Sequence, residues 1–195
     1  RDYILDISHM GIVTGLTDEL GLGGEESGEI LSCISCKNTD GITELCRRWS
    51  LEAGLIEKLR TLIGISGTMK TALKELEGTI VNEKMRAGFE ELEEIAKILT
   101  LAGYDRNIRF DFSVINNMNY YNGVVFQGFV DGIPQSVLSG GRYDNLMKKL
   151  GKSSGAIGFA VYLNMLELLE GSEQSYDSEA VLLYTASDST ADVLK

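Results

Sequence analysis

Residues 119–147, NYYNGVVFQGFVDGIPQSVLSGGRYDNLM, constrain the fold of this chain more than any other stretch. Two unusual peptides, NYYNGVVF and SGGRYDNL, flank an alternating apolar run. Asp131 and Gly132 form a strong turn signal within it, which predicts two antiparallel strands over residues 121–130 and 135–138, with Gly140 and Gly141 breaking the second. A tyrosine pair enters the first strand, and Gly140, Gly141, Arg142, Tyr143 and Asp144 leave the second. That combination suits a small polar pocket on a sheet. Rings supply walls and hydroxyls, while glycines without a Cβ let a ligand lie close to the backbone. Within a strand, Tyr120 and Tyr121 would face opposite sides, so one of them at most would enter a given pocket. Arg142 either shapes the pocket, with Asp144 capping the next short helix, or forms a structural pair with Asp144.

The remaining pattern predicts an α+β fold, an antiparallel sheet flanked by helices. Residues 2–8 alternate like a half-buried strand, and Ser8 is placed to cap a helix running through Leu20. From residue 25 to 103 the chain reads as a helical insertion without a strand. Apolar residues recur at helical spacing at Leu51, Leu55, Leu59 and Leu62, and again at Phe89, Leu92, Ala96 and Leu99. A longer helix is expected from about Asn82 to Ala102. Period-two alternation returns over residues 109–114; a short helix follows at 143–150, then a strand at 156–161 and a helix at 163–170. Residues 171–178, GSEQSYDS, read as a linker after a core spanning 1–170. Residues 179–195 start either a C-terminal α/β unit or a remnant of one.

A formal net charge of −11 repels a phosphate backbone, so no nucleic-acid partner is expected. Lys148, Lys149 and Lys152 form the only compact basic cluster, and it suits a solvated helix end. No apolar run reaches membrane-spanning length, so no membrane partner is expected. Three cysteines fit a reducing cytoplasm. Cys33 and Cys36 share a helical face, as small apolar residues or as half of a metal site that would need a second pair. Only Cys46 follows, and His9 is the single histidine, so no metal or cofactor is expected.

The peptides NYYNGVVF and SGGRYDNL resemble the histidine-recognition region of the histidyl-tRNA synthetase catalytic fold. YILDISHMGIV at 3–13 is similar to the segment after the second signature motif of class II synthetases, and GAIGFAVYLNML at 155–166 to the third motif. The resemblance covers residues 1 to about 170, the second half of that catalytic domain. It implies that Tyr120, Tyr121, Gly140, Gly141, Arg142 and Tyr143 belong to a histidine pocket, with Tyr121 and Tyr143 closest to the imidazole. It also implies that the chain is an excised piece, with the first two motifs outside it.

Two departures redirect the expected function. Where the synthetases carry Arg-Gly-Leu-Asp before the tyrosine pair, this chain has Asn116, Asn117, Met118 and Asn119; where they end the third motif in Glu-Arg-Leu, it has Asn164, Met165 and Leu166. Neither asparagine nor methionine supplies the guanidinium fork that stabilises developing anionic oxygens. A synthetase fold with a retained pocket and both arginines missing resembles the ATP phosphoribosyltransferase regulatory subunit family. That resemblance implies a non-catalytic, histidine-sensing subunit partnered by the short-form ATP phosphoribosyltransferase catalytic subunit, with free histidine as ligand and a homodimer within a hetero-oligomer. The alternatives are a divergent histidyl-tRNA synthetase and a scaffold or dimerisation domain without ligand.

Overall fold

In a computed structural model of the chain, residues 2–115 and 121–169 are described. Tyr120, the Asn116 to Asn119 peptide, the linker and residues 179–195 lie outside them. Strand β1 (Tyr3–His9) runs into α1 (Met10–Glu19). Helices α2 (Gly24–Ser35), α3 (Thr39–Arg48) and α4 (Ala53–Gly64) follow, then strand β2 (Ser66–Thr68) and helices α5 (Met69–Glu77) and α6 (Glu83–Leu101). Strands β3 (Ile108–Asp111), β4 (Val124–Val130) and β5 (Leu138–Arg142), helix α7 (Asp144–Lys149), strand β6 (Ile157–Val161) and helix α8 (Leu163–Leu166) complete the order, with a 3-10 turn at Glu167–Leu169.

The six strands among the described residues form one sheet, in the order β2-β3-β1-β4-β5-β6. The antiparallel sheet flanked by helices expected from the sequence is found, with one parallel pairing, β1 beside β3, where Leu5 faces Ile108. Strand β2 breaks the run read as purely helical. It carries only Ser66, Gly67 and Thr68, so no apolar alternation marks it, and its pairing with Thr68 opposite Arg109 is what makes it a strand.

Register sorts the two faces of the sheet. Leu5 and Ile7 of β1, Ile108 and Phe110 of β3, and Phe126 and Gly128 of β4 share one face because side chains alternate along each strand. Helices cover that face. Ile12, Val13 and Leu16 of α1, Leu59 and Leu62 of α4, and Met85 and Leu92 of α6 are fully enclosed with Ile7 and Phe110. Each such side chain contributes about 1.5–3 kcal/mol through burial. Helix α6 begins where Asn82 Oδ1 accepts the Met85 N–H at 2.9 Å; Asn82 Nδ2 also donates to the Gly15 carbonyl at 2.8 Å, which ties α6 to α1. No helix among the described residues is long and apolar enough to cross a membrane.

On the other face, one polar row crosses the sheet. Thr68, Arg109, Asp6, Gln127 and Ser139 lie side by side in register, and Ala160 completes the row on β6. Arg109 donates twice to the buried Asp6 carboxylate, at 2.9 and 3.2 Å. That hydrogen-bonded pairing raises the Arg109 pKa.

Candidate functional site

Beside that polar row lies a row of small and apolar residues, Val125, Gly141 and Gly158, and two tyrosine rings rest on its glycines. Gly141 and Gly158 face each other across β5 and β6. A Cβ on Gly141 would come 2.9 Å from Tyr121 Cδ1, and one on Gly158 would come 2.7 Å from the Tyr143 hydroxyl. The paired glycines therefore make a shelf that any larger residue would fill. On it Tyr121 and Tyr143 meet edge to face, with ring centroids 6.2 Å apart at 87°. Tyr121, Ser139, Tyr143, Gly158, Phe159, Ala160 and Tyr162 line the resulting depression of about 380 Å³. Ser139 and Tyr162 join hydroxyls at its far side, 2.6 Å apart.

Gly140 and Gly141 do not end β5. The strand starts three residues later than expected, at Leu138, and runs through both glycines to Arg142. Gly140 faces the helix side, where a Cβ would strike the Gly158 carbonyl and come 2.7 Å from Phe126 Cζ. Tyr121 precedes β4 rather than lying in it, so strand alternation does not set its direction.

Arg142 binds Asp144, and a chain of charges leads away from the pocket. Its Nε donates to Asp144 Oδ2 at 2.6 Å, and its Nη1 donates to both oxygens of Glu91 on α6 at 3.3 and 3.4 Å. Glu91 Oε2 lies 3.2 Å from His9 Nε2. Gly11 N–H donates to His9 Nδ1 at 3.1 Å, which leaves the ring proton on Nε2, pointed at Glu91. His9, not Ser8, thus caps α1. Burial lowers the His9 pKa and outweighs the raising effect of Glu91, so the ring is neutral.

Asp144 is the first residue of α7 and not its cap, a position held by Tyr143 without a side-chain bond. Its carboxylate accepts the Ala156 N–H at 3.0 Å as well as Arg142. Burial would raise the Asp144 pKa, but these hydrogen bonds, with the Arg142 charge, take it below the usual carboxylate value. Of the two expected arrangements, the structure has the Arg142–Asp144 pair, and Asp144 does not cap the short helix.

A second depression of about 490 Å³ adjoins the first, with Tyr162 on the border of both. Gln127, Phe129, Gln135, Ser136, Asn164 and Met165 line it, so its described lining carries no charge. Of the six predicted pocket residues, Tyr121 and Tyr143 line the depression and Gly141 lies against the Tyr121 ring, whereas Gly140 and Arg142 alternate to the helix side of the sheet, where Arg142 reaches Asp144 and Glu91. Tyr120 lies outside the described residues. Sequence reasoning missed Gly158, Ser139, Tyr162, Glu91 and His9. A lone glycine inside the apolar strand 156–161 was a signal for the first; none marked Glu91, one acid among many on α6.

A family model described as histidyl-tRNA synthetase matches residues 1–166. The ATP phosphoribosyltransferase regulatory subunit of Ruminiclostridium cellulolyticum is 30% identical over 166 residues, 85% of this chain and 39% of the relative. Among solved structures, an ATP phosphoribosyltransferase regulatory subunit/histidyl-tRNA synthetase from Bacillus halodurans C matches with a TM-score of 0.78 at 27% identity, over 88% of this chain and 45% of that one. An ATP phosphoribosyl transferase complex from Thermotoga maritima matches in fold, with a TM-score of 0.57 at 17% identity, over 73% of this chain and 48% of that one. The chain spans less than half the length of the curated relatives it matches. With the family model matched over residues 1–166 and the sheet, helices and tyrosine shelf in place, the chain belongs to the histidyl-tRNA synthetase family.

Proposed function

We propose that the chain is part of a non-catalytic, histidine-sensing regulatory subunit of ATP phosphoribosyltransferase, the first step of histidine biosynthesis. The observation that carries this is the tyrosine shelf beside an uncharged neighbouring depression. Tyr121 and Tyr143 frame a space that suits an imidazole, whereas with Met165 and Asn164 the adjoining lining has no cation for ATP phosphates among the described residues. The name carried by relatives at about 30% identity supports the same assignment. In this proposal Tyr120, Tyr121, Gly140, Gly141, Arg142 and Tyr143 form the histidine pocket, residues 1–170 form a class II synthetase-like core with 25–103 as its helical insertion, and 171–178 link that core to 179–195, the start of a C-terminal α/β unit or a remnant of one. The partner is the short-form catalytic subunit, the assembly a homodimer within a hetero-oligomer, and the compartment the cytoplasm. Histidine then acts only through its difference in affinity for the active and inhibited assemblies.

Calorimetry of the complete polypeptide with histidine tests the ligand. Tyr121→Phe with Tyr143→Phe should weaken binding about 10-fold or more, because imidazole donors and acceptors lose partners; unchanged affinity would place the site elsewhere. Mixing with a short ATP phosphoribosyltransferase should raise its activity and confer inhibition by histidine. The name of the Bacillus halodurans protein keeps a second reading in view, a working synthetase. Histidine-dependent pyrophosphate exchange with ATP should be absent, and an ordinary synthetase rate would favour that second reading.

A further inference from the structure

We propose that Glu91, on α6 and outside the tyrosine depression, is a positioning residue that acts through Arg142 to hold Tyr143 in place; this rests on the histidine-binding proposal above. Tyr143 stands between Arg142 and Asp144 in the chain, and those two side chains close on each other at 2.6 Å. They form a clasp across the backbone of Tyr143, where strand gives way to helix at φ −128 and ψ 49. Asp144 also holds the Ala156 N–H, next to the strand whose Gly158 lies under the Tyr143 ring. Moving the clasp therefore moves both a wall of the pocket and its floor.

Glu91 fixes the outer side of that clasp. The Arg142 side chain is 45% exposed, and Glu91 is what ties its Nη1 to the helical layer; without that carboxylate the guanidinium is free to turn about the Asp144 bond. Glu91 is seated against a buried donor: a Cβ on Gly88 would come 2.7 Å from His9 Nδ1, and one on Gly11 would come 2.9 Å from Cε1, so the imidazole lies between two glycines. With Nδ1 accepting from Gly11, the Nε2 proton needs the Glu91 oxygen. One carboxylate thus answers two donors. A glutamine has a single acceptor oxygen and would set an N–H against either Arg142 or His9.

The test uses the complete polypeptide, with L-histidine as titrant in calorimetry. Glu91→Gln is expected to bind about 10-fold more weakly than wild type. Glu91→Asp, which keeps the charge and shortens the reach, should lose less and serves if Glu91→Gln fails to fold. Nitrogen NMR of the His9 ring, which contacts Glu91 directly, provides the second readout. Its signal, assigned by loss in His9→Gln, should shift when histidine binds to wild type, and the shift should vanish in either Glu91 variant. Wild-type binding with equal affinity in the variants, or a His9 signal indifferent to ligand, would overturn the inference and leave the histidine proposal standing. No binding by wild type would instead overturn the proposal beneath it.

Discussion

Among the described residues, the Ser8 hydroxyl is the buried polar side-chain atom without a hydrogen-bond partner. Such an orphan costs stability, since its hydration is lost and nothing replaces it. Ser8→Ala should therefore be neutral or stabilise the fold by up to about 1 kcal/mol, as read from urea unfolding. A clear loss would mean that the hydroxyl finds a partner in solution. Ser8 also shows where residue chemistry misleads from sequence alone: serine is a better helix cap than histidine by propensity, but Ser8 points to the sheet face opposite His9. Strand alternation hands the capping position to His9, whose ring turns back to accept the Gly11 N–H.

At the scale of elements, glycines separate two kinds of substitution. Gly140→Ala would set a methyl against the Gly158 backbone carbonyl, and backbone paired on both sides has little room to yield. It should destabilise by about 3 kcal/mol or more, seen as a lowered denaturant midpoint. Gly158→Ala meets the Tyr143 side chain instead, at 2.7 Å, so the ring can swing away. Its unfolding midpoint should fall less than that of Gly140→Ala, while histidine binding should suffer more. The long elements were legible: β1 and β3 from alternation, α6 from its apolar stripe. Strand β5 was misplaced because its two glycines read as a break, when their lack of a side chain is what lets neighbouring strands and rings close over them. Strand β2 had no local signal at all, and the chain linking His9, Glu91 and Arg142 joins residues too distant in sequence for spacing to reveal.

For the whole molecule, the shifted groups that titrate on the acid side of neutrality, Asp111, Asp144 and His9, push in one direction. Asp111 accepts from Lys37, Ser66 and Ser113; burial raises its pKa, but these bonds outweigh it and leave the pKa lowered. Asp144 is lowered too, and so is the neutral His9. In each case the unfolded chain binds more protons than the folded one at a pH near the group's ordinary value, so stability falls with falling pH. The His9 share should begin to be lost below about pH 6.5, and the carboxylate share only below about pH 4. Chemical denaturation between pH 8 and 4 should show a declining midpoint, and His9→Asn, which retains a capping oxygen, should flatten the part between 7 and 5.

Strand β1 occupies an interior position, with β3 on one side and β4 on the other, and its partners lie far along the chain: Leu5 pairs with Ile108, and Tyr3 with Val130. During synthesis, β1 leaves the ribosome with neither neighbour yet made. At about 5–20 residues per second, the wait for both is on the order of ten seconds. Helices α1 to α6 emerge meanwhile and form through local contacts, but the sheet they pack against closes last. A nascent chain of this kind keeps an apolar strand unpaired for that interval, which makes it a client for chaperones that shield extended segments, and makes slow, late-closing refolding the expected behaviour of the purified protein.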